Sequence, residues 1–193
     1  MASRARKSKH GARQEKAGLR LGVAGAVILG ALVTCCIAVV VMCTVWLQDL
    51  PDYNDASAYN YAEKTKVYAN DGTTLLAEFY LENRDPIDLD EMGTYVTKGT
   101  VATEDERFYQ HNGIDVLGIA RAVWVNVTHT GHEGASTITQ QFVRNTILAD
   151  EATESTLKRK VREAYIAIKL EESYSKDEIL QMYLNTINYG LGA

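Results

Sequence analysis

The sequence is short of cysteine and proline, which limits what can hold its fold together. Only three of the 193 residues are cysteines and two are prolines. Cys35, Cys36 and Cys43 all lie in one uncharged segment near the N-terminus, so the rest of the chain has no disulfide to stabilise it. The four histidines are scattered and lack the spacing of a zinc site. Stability outside that segment must therefore come from packing.

Charged residues are missing from one stretch and unevenly divided over the others. Residues 21–47 carry no charge at all. Residues 1–20 carry seven Lys and Arg and one acid, whereas the remainder carries 13 Lys and Arg against 24 acids. This acidic body argues against a nucleic-acid-binding domain, whose folded part is expected to be basic. The uncharged stretch argues against a soluble cytosolic enzyme.

The uncharged stretch has the length of a transmembrane helix. About 20 apolar helical residues cross the hydrocarbon core of a bilayer, so residues 21–47 are long enough with room for tilt. A cleaved signal peptide is the alternative, because residues 56–58 have the small-x-small form of a cleavage site. That site lies well beyond an apolar run that is itself too long for a signal peptide. Since Lys and Arg crowd the N-terminal flank, we expect residues 1–20 to be cytoplasmic and residues 48–193 to lie outside.

The part beyond the anchor is predicted to be a β-hairpin followed by helices. Residues 48–63 are polar and rich in tyrosine, and we interpret them as a juxtamembrane linker. Two strand-like runs flank Asn70-Asp71-Gly72, a composition typical of a tight hairpin turn. Helical spacing dominates from about Glu91 onward. The expected helices cover residues 91–109, 115–127, 137–148, 155–172 and 176–187.

Three details of these helices can be checked directly. Ser175 and Glu178 form a predicted capping box that starts the last helix. The helix over 115–127 has apolar residues at helical spacing, and the helix over 155–172 has an apolar stripe. The first set comprises Val116, Ile119, Ala120, Val123, Trp124 and Val127, and the second Leu157, Val161, Ala164, Tyr165 and Ile168.

The first candidate for chemistry is the segment Thr103–Asp115, which reads TEDERFYQHNGID. Three acids in succession, Glu104 to Glu106, stand near the predicted C-terminal end of a helix, where the helix dipole favours cations. Acids placed against the helix dipole, with no local compensation for them, point towards a functional role. The alternative is a solvated acidic face.

Two further segments suggest a site for an anion. In Gly134–Asn145, small and hydroxyl residues precede a helix, which offers exposed N–H groups to a phosphate or sugar. An ordinary Ser or Thr N-cap is the alternative there. In Lys158–Glu163, four cations and one carboxylate occupy six helical residues, so a basic helix face could hold a diphosphate. A solvated charged helix is the alternative for this segment.

Taken in order, TEDERFYQHNGID, GASTITQQFVRN, KRKVREAY and SKDEILQMYLNTINYG resemble the glycosyltransferase family 51 domain of class A penicillin-binding proteins. The resemblance runs from about Lys64 to Ala193, where a fifth motif begun at Tyr189 is cut off. It implies a mainly α, lysozyme-like domain over 64–193, incomplete at the C-terminus, with a small β-hairpin and one preceding transmembrane helix. A transpeptidase domain would lie beyond this chain.

The resemblance also implies an activity, the polymerisation of lipid II into peptidoglycan glycan strands, and roles for particular residues. Glu104 takes the place of the essential carboxylate, the general base, and Glu163 that of a second catalytic carboxylate. We expect Glu104 to be buried beside Asp105 and Glu106. The residues implied to bind substrate are Asp105, Phe108, His111, Ser136, Thr137, Gln140, Gln141, Arg144, Arg159, Lys160 and Asn185.

The sequence requires no cofactor, although a divalent cation, Mg or Mn, could accompany the diphosphate. The expected partners are lipid II, the growing glycan strand and the membrane, with other cell-wall synthesis and division proteins as further candidates. No nucleic-acid partner is expected. One alternative function is a lysozyme-like hydrolase or lytic transglycosylase, which needs neither a cationic diphosphate site nor an anchor. The other is a non-catalytic, membrane-anchored lipid II binder, since the chain stops inside the fifth motif.

Overall fold

The computed structural model describes residues 25–55, 64–79, 85–128, 131 and 134–187. The predicted cytoplasmic tail, the first residues of the predicted anchor, part of the predicted linker and the start of the fifth motif lie outside these ranges. The chain divides into two compact units, Met1–Gln48 and Asp49–Ala193.

The first unit contains one long helix, α1, over Gly25–Trp46. Its 22 residues are long and apolar enough to cross a membrane, with a mean hydropathy of 2.8. The hydroxyl of Thr34 donates to the carbonyl of Gly30 at 2.9 Å, which gives this polar atom a partner within the helix itself. A helix of this kind satisfies its backbone internally, as a membrane span requires.

The second unit begins with the predicted hairpin, and this prediction is confirmed. Strands β1 (Thr65–Tyr68) and β2 (Leu75–Phe79) pair antiparallel. Gly72 has a φ of 72°, the positive value that the turn composition predicts. The side chain of Asp71 accepts hydrogen bonds from the hydroxyl and N–H of Thr74 and from a neighbouring N–H, which lower its pKa to about 2.

The rest of the second unit is helical, as predicted. Helix α4 packs against both α5 and α6, and the apolar core gathers around these three helices. The helices are α2 (Thr94–Glu104), α3 (Val116–Val127), α4 (Ile138–Asn145), α5 (Leu157–Ser173) and α6 (Lys176–Thr186). Short 3-10 turns cover Phe108–Gln110 and Ala149–Glu151.

Side-chain caps fix where four of these helices start. Asp115 caps α3, Thr137 caps α4, Thr156 caps α5 and Ser175 caps α6. The box of Ser175 with Glu178 is confirmed. A capping Ser, Thr or Asp satisfies an N–H that the first helical turn cannot bond internally, so each cap sets a boundary.

One sequence expectation about these helices is wrong. The helix predicted over 91–109 ends at Glu104, because Asp105 leaves helical geometry with a φ of −159°. The helix predicted over 115–127 is confirmed as α3, and its apolar residues are largely exposed, Trp124 to 71%, with only Gly118 and Ala122 of that helix buried.

The helix predicted over 155–172 is confirmed as α5, and its buried face differs from the apolar stripe in its sequence. That face includes Arg159, Arg162 and Glu163 together with Ile166, Ala167 and Leu170. Charged side chains can take buried positions there because each of the three is paired, Arg159 with Glu163 and Arg162 with Glu151.

The part of the predicted linker that the structure describes is packed against the helices. Leu50 and Tyr53 are partly buried against the core, and the ring of Tyr53 meets Tyr165 edge-on at 6.1 Å between centroids. Arg162 donates to the carbonyl of Asp49 at 2.8 Å. This segment is therefore joined to α5.

Candidate active site

Glu104 is the last residue of α2, and its side chain is exposed. The predicted burial of this carboxylate is therefore wrong. The side-chain amide of Gln141 on α4 donates to Glu104 Oε2 at 2.9 Å. The amide oxygen of Gln141 in turn accepts from the hydroxyl of Tyr183 on α6 at 3.0 Å. Three helices thus contribute one residue each to a chain of hydrogen bonds that ends on the carboxylate.

Glu104 borders two cavities. One, of about 160 Å³, is polar and is lined by Glu104, Asp105, Arg121, Ser136 and Thr137 among others. The other, of about 350 Å³, is lined by Glu104 together with residues such as Tyr95, Val96, Tyr183 and Ile187. A carboxylate that borders two cavities can lie close to two reacting groups, one in each cavity.

A further cavity, of about 840 Å³, contains none of the predicted site residues. Its walls include Leu89, Met92, Val101 and Leu180. It is larger than the two spaces beside Glu104, and Glu106, Lys98 and Gln181 are among its lining residues, but no residue of the predicted site borders it. We therefore place the candidate active site at Glu104.

Asp105 is buried and ties the first motif to the second. His111 Nε2 lies 2.9 Å from Asp105 Oδ2, and the N–H of Ile138, the first residue of α4, donates to the same oxygen at 3.1 Å. A carboxylate at the N-terminus of a helix is favoured by the helix dipole. Phe108 is fully buried, and Lys176 Nζ lies 4.5 Å from its ring centre. These contacts fix the segment that follows Glu104.

The second motif divides into capping residues and one residue that meets a cation. Thr137 and Gln140 form a capping box, both are buried, and the Thr137 hydroxyl donates to the carbonyl of Gly113 at 2.7 Å. Ser136 instead accepts from Lys160 Nζ at 2.8 Å. The contacts of Thr137 and Gln140 correspond to the N-cap alternative, and binding of substrate by Asp105, Phe108, His111, Thr137 and Gln140 stays a prediction.

The third motif does not form the uniformly basic face that its sequence suggests. Glu163 is fully buried; it pairs with the guanidinium of Arg159, and Lys160 Nζ lies 3.1 Å from its Oε2. Arg159 is buried too and also donates to the carbonyl of Glu154. The side chain of Lys160 is 41% exposed. Lys160 is therefore the member of this ion-paired group that a diphosphate can reach.

Arg144 and Asn185 have different surroundings. Arg144, on α4, is half-buried, and its Nε lies 3.4 Å from Asn145 Oδ1. The amide of Asn185 donates to the carbonyl of Ile87 at 2.9 Å and accepts from the N–H of the same residue at 3.2 Å. Asn185 therefore holds the extended segment that precedes α2, and its predicted contact with substrate remains untested.

The described ranges contain no group of three or more histidine, cysteine or carboxylate side chains that could hold a metal ion. Two carboxylates of the predicted site are already paired, Glu163 with two cations and Asp105 with His111. The residues present there do not offer a ready set of ligands for a divalent cation.

The resemblance matches Tyr183 to the fourth motif, but sequence reasoning assigned it no role in the site. This residue is 42 positions from Gln141 along the chain, and its side chain is buried on α6. Helical spacing within α6 predicts only that it faces the core. The contact depends on how α4 and α6 pack, which no local pattern encodes.

Comparison with known proteins gives consistent matches. A family model described as Transglycosylase matches residues 71–193. Penicillin-binding protein 1A of Escherichia coli (strain K12) is 42% identical over 151 residues, 75% of this chain and 17% of that protein. Penicillin-binding protein 1A of Rickettsia bellii (strain RML369-C) is 38% identical over 150 residues, 76% of this chain and 18% of that protein.

A third relative extends the match along the chain. Penicillin-binding protein 2D of Bacillus subtilis (strain 168) is 40% identical over 168 residues, 86% of this chain and 23% of that protein. The chain thus spans about a fifth of the length of these curated relatives. The family model's match over 71–193 includes all four complete motifs.

Proposed function

The chain belongs to the transglycosylase family, and we propose that it polymerises lipid II into β-1,4-linked glycan strands of peptidoglycan with release of polyprenyl diphosphate. The observation that carries this proposal is the exposed Glu104 carboxylate, which borders two cavities and accepts a hydrogen bond from Gln141. Two sugars must meet in such a reaction, one as nucleophile and one as donor.

In this proposal Glu104 is the general base. A sugar hydroxyl is a weak nucleophile, so a carboxylate removes its proton while the oxygen attacks C1 of the donor sugar. The bond from C1 to the diphosphate oxygen breaks in the same step, and its electron pair leaves with the diphosphate. One inversion at C1 converts the α-linked donor into a β-linked product.

The departing diphosphate gains negative charge, and cations placed beforehand stabilise it. Lys160 is suited to this role because it is partly exposed and already bonded to Ser136 in the second motif. Arg144 is a second candidate from α4. Glu163 has no exposed surface, so we assign it the positioning of Arg159 and Lys160. Any Mg or Mn ion at this point would take its ligands mainly from the diphosphate and water.

The proposal includes a membrane location, because the substrate carries a polyprenyl chain. Helix α1 supports an anchor by its length and composition. The basic flank of residues 1–20 favours a cytoplasmic N-terminus, with the transglycosylase part on the outer face of the plasma membrane. The partners would be lipid II, the growing strand and other proteins of cell-wall synthesis and division.

A lysozyme-like hydrolase or lytic transglycosylase is the alternative enzyme. It would use a similar acidic residue but has no diphosphate to stabilise, so the cluster of Ser136, Lys160, Arg159 and Glu163 would have no role in its chemistry. A non-catalytic lipid II binder would keep that cluster without needing a carboxylate held at 2.9 Å by an amide donor.

The test is Glu104→Gln in the full-length natural protein, with lipid II as substrate. Glutamine keeps the size of the side chain but cannot accept the proton, so polymerisation should slow by about 10²–10⁴-fold while lipid II binding stays nearly unchanged. The matched control is Glu172→Gln, which makes the same change at an exposed carboxylate paired with Lys169 on α5.

Two results would count against the proposal. If Glu104→Gln polymerises lipid II as fast as the control, Glu104 is not the base. If it loses binding together with activity, Glu104 has a structural role and the binding function gains support. Release of soluble glycan fragments from preformed peptidoglycan by the wild-type protein would favour the hydrolase instead.

A further inference from the structure

We propose that Tyr183 is a positioning residue for the reaction, acting on Glu104 through the side-chain amide of Gln141. The proposal rests on the proposed function, because it concerns how the general base is held. It is carried by two consecutive hydrogen bonds, Tyr183 to Gln141 at 3.0 Å and Gln141 to Glu104 at 2.9 Å.

The direction of these bonds matters because an amide has two different ends. The Tyr183 hydroxyl donates to Gln141 Oε1, which leaves the Nε2 end turned towards Glu104. With the amide reversed, its oxygen would face the carboxylate, and two acceptors would repel each other. The carboxylate can only accept, so it favours this amide orientation, and the Tyr183 hydroxyl holds the oxygen end of the amide by donating to it.

The conformational freedom of the side chains decreases from Glu104 through Gln141 to Tyr183. This is the order that positioning of Glu104 requires. Glu104 is exposed at the end of α2, where its long side chain could adopt several rotamers. Gln141 is half-buried, and Tyr183 is only 3% exposed in the core between α4 and α6. The chain of bonds thus connects a mobile base to a rigid part of the molecule, and bonds in series polarise one another in the same direction.

Positioning of a base raises the rate of the chemical step and need not change affinity for substrate. Tyr183→Phe removes the hydroxyl and leaves the ring to fill the core. We expect kcat to fall by about 3–10-fold, the size of effect typical for one hydrogen bond, with KM for lipid II unchanged. A melting temperature close to that of wild type would exclude loss of folding as the cause.

The matched control is Tyr109→Phe, which removes a hydroxyl that donates to Asp177 at 3.0 Å and not to the amide of Gln141. Burial and this hydrogen bond raise the pKa of Tyr109 to about 12, so the hydroxyl stays protonated throughout the assay range. The control should keep the wild-type kcat. If Tyr183→Phe behaves like this control, the proposal is overturned.

A double-mutant cycle tests whether Tyr183 acts through Gln141. In protein that already carries Gln141→Leu, the amide is gone, so adding Tyr183→Phe should change kcat by less than about 2-fold. If the double variant instead loses kcat by the product of the two single-variant losses, Tyr183 acts by another route. That result would also overturn the proposal.

One measurement separates this proposal from the proposed function. The side-chain NH₂ resonances of Gln141, assigned by their disappearance in Gln141→Leu, should move in Tyr183→Phe and in Glu104→Gln but not in Tyr109→Phe. If the wild-type protein does not polymerise lipid II, the proposed function fails, whereas these resonances still report on the contact. Resonances that stay in place in Tyr183→Phe would refute the inference even in a fully active enzyme.

Discussion

Arg159 and Lys160 are neighbours on α5 with very different access to solvent. The side chain of Arg159 is 8% exposed and contacts both Glu163 and the carbonyl of Glu154. The side chain of Lys160 is 41% exposed and reaches Ser136. Because Glu163 has no exposure, it depends on these two cations for the compensation of its charge. We therefore expect Arg159 to contribute mainly to stability and Lys160 mainly to substrate binding.

Separate alanine substitutions should distinguish these contributions. Arg159→Ala leaves the buried carboxylate of Glu163 short of a partner, so the free energy of unfolding should fall by about 3–5 kcal/mol. Lys160→Ala should alter stability far less but weaken lipid II binding, most clearly at low salt, where the attraction to the diphosphate is least screened. Thermal unfolding and binding at two salt concentrations measure both effects.

The neighbouring Lys158→Ala serves as the control, since Lys158 is exposed on the same helix. It should leave both stability and binding near the wild-type values. The assignment is wrong if Arg159→Ala unfolds at the wild-type temperature, or if Lys160→Ala binds lipid II as tightly as the control at low salt.

At the scale of elements, the loop between the first 3-10 turn and α3 lies directly on α5. Gly113 in this loop has a φ of 82°, and a Cβ built there would lie 2.6 Å from the backbone nitrogen of Ile168. The carbonyl of Gly113 also accepts from Thr137 at the start of α4. The loop thus joins three helices, and it contains His111, which binds Asp105 next to Glu104.

Gly113→Ala should therefore be strongly destabilising. The substitution imposes a positive φ on an alanine and pushes its methyl group into a helix backbone, so we expect a loss of about 2–4 kcal/mol. Gly72→Ala is the matched control, because Gly72 has a φ of 72° with nothing within 4 Å of its built Cβ. That variant should lose only about 1 kcal/mol, the cost of the backbone conformation. Equal losses in denaturant unfolding would contradict the packing argument.

Elements that depend on local chemistry were predictable from the sequence. The hairpin follows from Asn70-Asp71-Gly72, and the start of α6 follows from Ser175 and Glu178. The end of α2 and the buried face of α5 were not predicted, because both depend on partners distant in sequence. Asp105, which ends α2, bonds a residue 33 positions away.

The candidate site was also predictable in part. Its residues could be identified from four motifs, but the pairs they form could not, since Lys160 meets Ser136 across 24 residues and Gln141 meets Glu104 across 37. The exposure of Glu104 was predicted wrongly because three consecutive acids suggest a shared environment. In the fold Asp105 takes the buried position, where His111 and the start of α4 bond it.

For the whole molecule, the division of charge bears on how the chain meets a membrane. The basic N-terminal 20 residues and the acidic remainder lie on opposite sides of the uncharged stretch in sequence. Helix α1, over Gly25–Trp46, supplies a span of 22 residues between them. A lipid-linked substrate stays in the bilayer, so an enzyme that is anchored in the same membrane meets it by diffusion in two dimensions.

The predicted orientation can be tested on intact cells. Lys and Arg flanking a span are retained in the cytoplasm, so a tag at the N-terminus should survive protease added to spheroplasts, while a tag after residue 193 should be removed. Permeabilised spheroplasts, in which both tags should be cleaved, are the control for access. Replacing the flanking Arg13, Lys16 and Arg20 with neutral residues should increase the fraction with reversed tags, because these charges set the orientation. Loss of the N-terminal tag in intact spheroplasts with survival of the other would refute a cytoplasmic N-terminus, and it would place the Glu104 site on the wrong side for building a cell wall.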